Sequence, residues 1–68
     1  MKLVPVPFGN QTGSKLILKT YHSGLTVGQE YQILDHRMDE DSFSNTHYYL
    51  VTADSGKTEW VHFALFGY

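Results

Sequence analysis

Residues 47–62 read HYYLVTADSGKTEWVH, and this stretch decides the fold. Tyr48, Tyr49, Leu50, Val51 and Thr52 are residue types that suit a pleated, half-buried strand. Asp54-Ser55-Gly56-Lys57 then puts a glycine third in a four-residue turn, where a tight reversal calls for positive φ. Thr58-Glu59-Trp60-Val61-His62 has the length and pattern of the returning strand. A β-hairpin over residues 47–62 is therefore predicted.

The same punctuation continues on either side. Glu30 to Arg37, with Tyr31, Ile33 and Leu34, reads as one strand that dissolves at Met38 into a polar stretch running through Thr46. Lys15 to Tyr21 is a short apolar run with charged partners, too short for a stable helix and suited to a strand. Ser23-Gly24 and Gly28 bracket a compact loop around Leu25-Thr26-Val27. In residues 1–14, Val4, Val6 and Phe8 alternate with Pro5 and Pro7, which cannot donate to a ladder, so this segment reads either as an edge strand or as an extended arm. Residues 63–68 read as one 3₁₀ turn followed by a terminal strand. Four or five short strands without an amphipathic helix predict a small all-β domain. A closed barrel is the favoured form, because closure removes exposed sheet edges.

The chain of 68 residues is long enough for one domain, 1–68, and no more. It has no cysteine, which excludes disulfides, thiolate zinc sites and a cysteine nucleophile. A 41% hydrophobic share is too rich for a disordered chain, and no apolar run approaches the roughly 20 residues of a membrane span. Met1 to Asn10 lacks the continuous apolar segment of a secretory signal, so a cytoplasmic location and no membrane partner are expected. Lys2, Lys15 and Lys19 are the only charges before Gln29, whereas from Glu30 onward seven acids face Arg37 and Lys57, giving −5. That acidic half argues against binding to a phosphate backbone, where clustered Lys and Arg supply most of the affinity.

Chemistry of the catalytic kind finds little footing. His22, His36, His47 and His62 show no HxH or HxxxH spacing, so they read as solvent-exposed strand histidines and no metal site is expected. Asp39-Glu40-Asp41 lacks the ligand order of a calcium loop and reads as a solvated loop. No strained nucleophile turn and no phosphate loop is present, and the protein is expected to be neither an enzyme nor dependent on a cofactor. The aromatics say more. Tyr31, Tyr49, Phe63 and Phe66 suit a core, but Tyr21, Tyr48, Trp60 and Tyr68 cannot all be buried in one domain of this size. Exposed Trp and Tyr are favoured at binding hot spots.

Leu25-Thr26-Val27-Gly28-Gln29-Glu30-Tyr31, the Asp54-Ser55-Gly56 turn and Trp60-Val61 ending in Phe66 together resemble small SH3-like barrels, more narrowly the uncharacterised ones common in bacteriophage genomes. In those, an L-T-x-G-x-x-Y segment leads into the second strand, a D-x-G turn joins the third and fourth, and an aromatic pair with a 3₁₀ turn finishes the domain. The similarity covers roughly residues 15 to 66. The A-L-Y-D-Y pair after the first strand and the proline of the 3₁₀ turn that mark polyproline-binding relatives are missing, so PxxP recognition is not expected.

The resemblance and the surface aromatics imply a protein-binding module that occupies or inhibits a host or viral protein, a nucleic-acid enzyme in the sharper version. Trp60, Tyr21, Tyr48 and Phe43 would anchor it, while Asp35, Asp39, Glu40 and Asp41 would steer it toward a basic patch. Two other readings stand beside this one. A single-stranded nucleic-acid barrel would use Lys2, Lys15, Lys19, Tyr21 and Trp60, and a virion or assembly subunit would self-associate through residues 4–8.

Overall fold

The computed structural model describes residues 2–43 and 46–67. Among them the chain forms β1 (Leu3–Pro5), β2 (Lys15–Leu18), β3 (Glu30–Gln32), β4 (Asp35–Asp39), β5 (His47–Thr52), β6 (Thr58–His62), a 3₁₀ turn (Phe63–Leu65) and β7 (Phe66–Gly67). The strands lie in two antiparallel sheets, ordered β1-β4-β5-β6 and β3-β2-β7. The all-β class expected from the sequence is what forms. So does the 47–62 hairpin, closed by Ala53 N–H on Lys57 O at 2.7 Å, with Gly56 at φ 91°, where a side chain would be strained.

Two expectations are corrected. The sheets do not close into one barrel, and the run from Glu30 to Arg37 is two strands rather than one. The reason lies at Ile33 and Leu34. Successive N–H groups of an extended chain point to opposite sides, and here Ile33 N–H reaches Ser14 O at 2.8 Å while Leu34 N–H reaches Leu50 O at 2.7 Å. One residue thus belongs to the three-stranded sheet and the next to the four-stranded sheet. The chain turns a corner there, and β4 then continues through Met38 to Asp39, beyond where the polar composition suggested a loop.

The sheets share one core. Leu16 and Leu18 of β2, Tyr31, Ile33 and Leu25 meet Tyr49 and Val51 of β5, Val61 of β6 and Ala53 just after β5, with Leu65 and Phe66 packed against them. The N-terminal segment resolves as an edge strand: Val4 pairs with Met38, and Val6 is buried. Proline is tolerated in this edge because the outer side of β1 has no ladder to feed.

The L-T-x-G-x-x-Y segment and the D-x-G turn meet in space. Tyr31 Oη donates to Asp54 Oδ1 at 2.8 Å, Thr26 Oγ1 donates to Asp54 Oδ2 at 2.6 Å, and Thr26 N–H donates back to Tyr31 Oη at 2.7 Å. These bonds pin the loop after β2 to the β5–β6 hairpin, aided by Asp54 N–H on Gly24 O at 2.9 Å. They also hold the Asp54 carboxyl below its ordinary 3.8, Thr26 contributing more than Tyr31. Tyr31→Phe keeps the buried ring but removes this link. It should cost about 1 kcal/mol in urea denaturation and move the Asp54 titration back up in carboxyl NMR. An unchanged midpoint together with an unchanged titration would show the link to be idle.

Candidate functional site

Strand register sorts the side chains of the four-stranded sheet onto two faces, since cross-strand partners share a face and neighbours along a strand do not. The core takes Tyr49, Val51 and Val61. The opposite face then carries one row of Trp60, Leu50 and Asp35, and a second row of His62, Tyr48, Arg37 and Pro5. Trp60 is 37% exposed, and Leu50 and Tyr48 are half-buried. The Tyr48 and His62 rings meet edge to face at 5.8 Å, and Arg37 Nε donates to Asp35 Oδ2 at 2.9 Å. Three of the residues singled out by sequence, Trp60, Tyr48 and Asp35, thus share this outer face.

The others lie elsewhere. Tyr21 is exposed in the loop after β2, and Phe43 is fully exposed beyond β4. Asp39 is buried at 8% exposure, its Oδ1 accepting from the backbone N–H groups of Lys2 and Asp41 at 3.2 and 3.0 Å. It ties the end of β4 to the start of the chain and is not part of a solvated acidic loop. Glu40 is exposed and pairs with Lys2 at 3.6 Å, also joining these segments. Tyr68, and Ser44 and Asn45 of the polar stretch, fall outside the described residues.

The histidines depart most from expectation. His36 is 3% exposed, His47 and His62 are half-buried, and all three line one cleft of about 670 Å³ with Phe8, Gly9, Thr46, Tyr49 and Phe63. His36 sits beneath: its Nδ1 accepts from Gln11 N–H at 3.0 Å and its Nε2 lies 2.7 Å from His47 Nδ1. An imidazole whose Nδ1 accepts must carry its proton on Nε2 to donate further. His36 is therefore the Nε2–H tautomer, and it donates to His47 Nδ1. That in turn puts the proton of neutral His47 on Nε2. His62 Nδ1 accepts from Ala64 N–H at 3.1 Å, which assigns the same tautomer to neutral His62. The Phe63 ring stacks on His62 at 5.1 Å and meets His47 edge-on at 5.7 Å.

This chain of bonds disfavours protonation of His36. Burial pushes its imidazole below the ordinary 6.5, the adjacent His47 pushes the same way, and Asp35 opposes them. It also leaves few lone pairs for a metal, in keeping with the finding that no cluster of three or more ligating side chains occurs among the described residues. One sequence signal could have revealed His36: in Asp35-His36-Arg37, two charges facing out on a strand put the residue between them inward.

No helix among the described residues is long and apolar enough to cross a membrane. No protein family, curated protein or solved structure matches the chain.

Proposed function

We propose that this protein is a non-enzymatic binding module that docks another protein on the outer face of its four-stranded sheet, with Trp60 as the anchoring ring. One observation carries the reading: Trp60, Leu50, Tyr48 and His62 lie in adjoining rows on the face opposite the core, beside the Arg37–Asp35 ion pair. A rigid ring set among half-buried apolar neighbours, with hydrogen-bonding groups at its margin, is the usual make-up of a binding hot spot. The SH3-like assignment belongs to the same proposal, supported by the D-x-G hairpin and by the 3₁₀ turn before the last strand. A bacterial host or phage protein encountered in the cytoplasm is the partner this reading implies. In the narrower version, where acids compete with nucleic acid for an enzyme, Glu40 and Asp41 would have to act without Asp39, which is buried.

Nucleic-acid stacking on the same face has weaker support. A stacking platform works within a basic groove, and the only cation in these rows is Arg37, already paired with Asp35. Self-assembly through residues 4–8 would have to use the free edge of β1 and the exposed Phe8, since Val6 is buried in the fold.

The test is an affinity capture from bacterial lysate with the tagged protein. One dominant protein should survive nuclease treatment, persist with Tyr21→Ala, and fall at least tenfold with Trp60→Ala, in line with the roughly 2 kcal/mol or more that hot-spot rings contribute. A capture that vanishes with nuclease, or that ignores the loss of the Trp60 ring, would remove this proposal.

A further inference from the structure

We propose that the histidine cleft between the N-terminal segment and the end of the four-stranded sheet is a binding site for an organic carboxylate carried on an aromatic or branched apolar body. The argument rests on the proton positions that the hydrogen bonds impose. Gln11 N–H on His36 Nδ1, His36 Nε2–H on His47 Nδ1, and Ala64 N–H on His62 Nδ1 occupy the acceptor nitrogen of every histidine in the cleft. What neutral His47 and His62 have left to offer a ligand is an Nε2–H donor each. A cleft that presents donors selects an acceptor, and an anionic acceptor forms the shorter, stronger bond.

The remaining walls specify the rest of the ligand. Phe8 at 87% exposure and Phe63 at 42% are the apolar rings at the cleft, with Tyr49 and buried His36 lower on its wall. Among the described residues no Asp, Glu, Lys or Arg lines it, so none of them repels a carboxylate or competes for it in a salt bridge. The nearest acid on the same strand, Asp35, points to the opposite face and is paired with Arg37. A volume of about 670 Å³ falls within the range of small-molecule sites, roughly 300–1,000 Å³. The same tautomers turn a divalent metal away. To ligate through Nε2, His47 would have to move its proton to Nδ1, against the Nε2–H of His36.

This site meets the outer sheet face at His62, which belongs to both, whereas Trp60, Leu50 and Tyr48 do not line it. His36 acts as a positioning residue, holding the proton of His47 on the outward nitrogen. Two sources offer the required chemistry: a free aryl or branched-chain acid, and the C-terminal carboxylate of a peptide ending in an apolar residue.

The experiment is an NMR titration of the ¹⁵N-labelled full chain at pH 7.5, following backbone amides and the imidazole ring nitrogens through long-range ¹H–¹⁵N correlations. Probes are phenylacetate, phenylacetamide, N-acetyl-phenylalanine and its amide, a hexapeptide ending in Phe with a free or amidated C-terminus, and zinc. The free protein should show the Nε2–H pattern at His36, His47 and His62. The acids should shift the His47 and His62 rings saturably, at least tenfold more tightly than the matching amides. Phenylacetate binding with exclusion of N-acetyl-phenylalanine would assign a free acid, and tightest binding of the free-carboxylate hexapeptide would assign a C-terminus. Equal binding of acids and amides, no saturable shift at millimolar acid, or zinc ligation at His47 would overturn the proposal. Because His47→Phe also removes the acceptor for His36, Phe63→Ala and His62→Phe are the parallel variants. Acid binding undiminished in folded samples of both would overturn it as well.

Discussion

Leu18→Ala will remove a large share of the stability of this fold. Leu18 is completely buried, on a four-residue strand in the middle of the three-stranded sheet, where it meets core residues from both sheets. Truncating such a leucine costs about 2–5 kcal/mol, transfer and cavity together. A domain of this length has roughly 3–10 kcal/mol in all, taking about 0.05–0.15 per residue, and lacks a disulfide to narrow its unfolded ensemble. Urea denaturation and amide-shift dispersion would read the effect. Leu34→Ala provides the matched control: the chemistry is identical, but the side chain is 42% exposed at the corner between the sheets, so the change should stay within about 0.5–1 kcal/mol. Equal losses at the two positions would mean that burial in one shared core does not hold this fold together.

That core was legible in the sequence only piece by piece. The β5–β6 hairpin could be read because its signal is local: a strand-forming run, an Asp-Ser-Gly turn and a returning run all lie within residues 47–62. The terminal turn and strand were equally local. The corner at Ile33–Leu34 was not, because an apolar run that feeds two sheets looks the same as one feeding a single buried strand. The break of this run into two strands follows from hydrogen-bond partners far away in sequence.

Asp39 and the histidines show the same limit at the level of sites. In sequence, Asp39-Glu40-Asp41 is a run of charge. In the fold, Asp39 receives two backbone N–H groups at the end of a strand, one of them from Lys2 at the far end of the chain. His36 and His47 are eleven positions apart, with no metal-like spacing. They become neighbours only because β4 and β5 pair with His36 opposite Tyr49 and Met38 opposite His47, a register that no short motif encodes. By contrast, Trp60 was singled out for its residue type alone, and it lies 37% exposed on the face opposite the core.

The histidine relay should also make stability depend on pH, with the larger loss on the acid side of neutrality. His36 has its proton affinity lowered by folding, chiefly through burial and secondarily through His47. Below about 6.5 the unfolded chain therefore takes up a proton at this residue that the folded chain resists, so stability is full above that pH and declines as pH falls toward the lowered folded value. A second proton on His36 would go to Nδ1 and break the bond from Gln11 N–H, which is one structural origin of the effect. One such site can contribute at most about 1.4 kcal/mol per pH unit, or roughly 6–11 °C of Tm in a domain of this size. Asp54 does not confuse the window. Its carboxyl is lowered from 3.8, so its contribution is present above that pH and is lost only in stronger acid. Thermal melts between pH 7.5 and 5.0 should therefore show Tm falling through the lower half of the range. His36→Ala should lie about 2–4 kcal/mol below the parent at pH 7.5, from the cavity and the unpaired Gln11 N–H, yet have a flatter pH response. A parent Tm that does not change across this range, or a variant that keeps the parent's slope, would show that the buried imidazole is not what resists protonation.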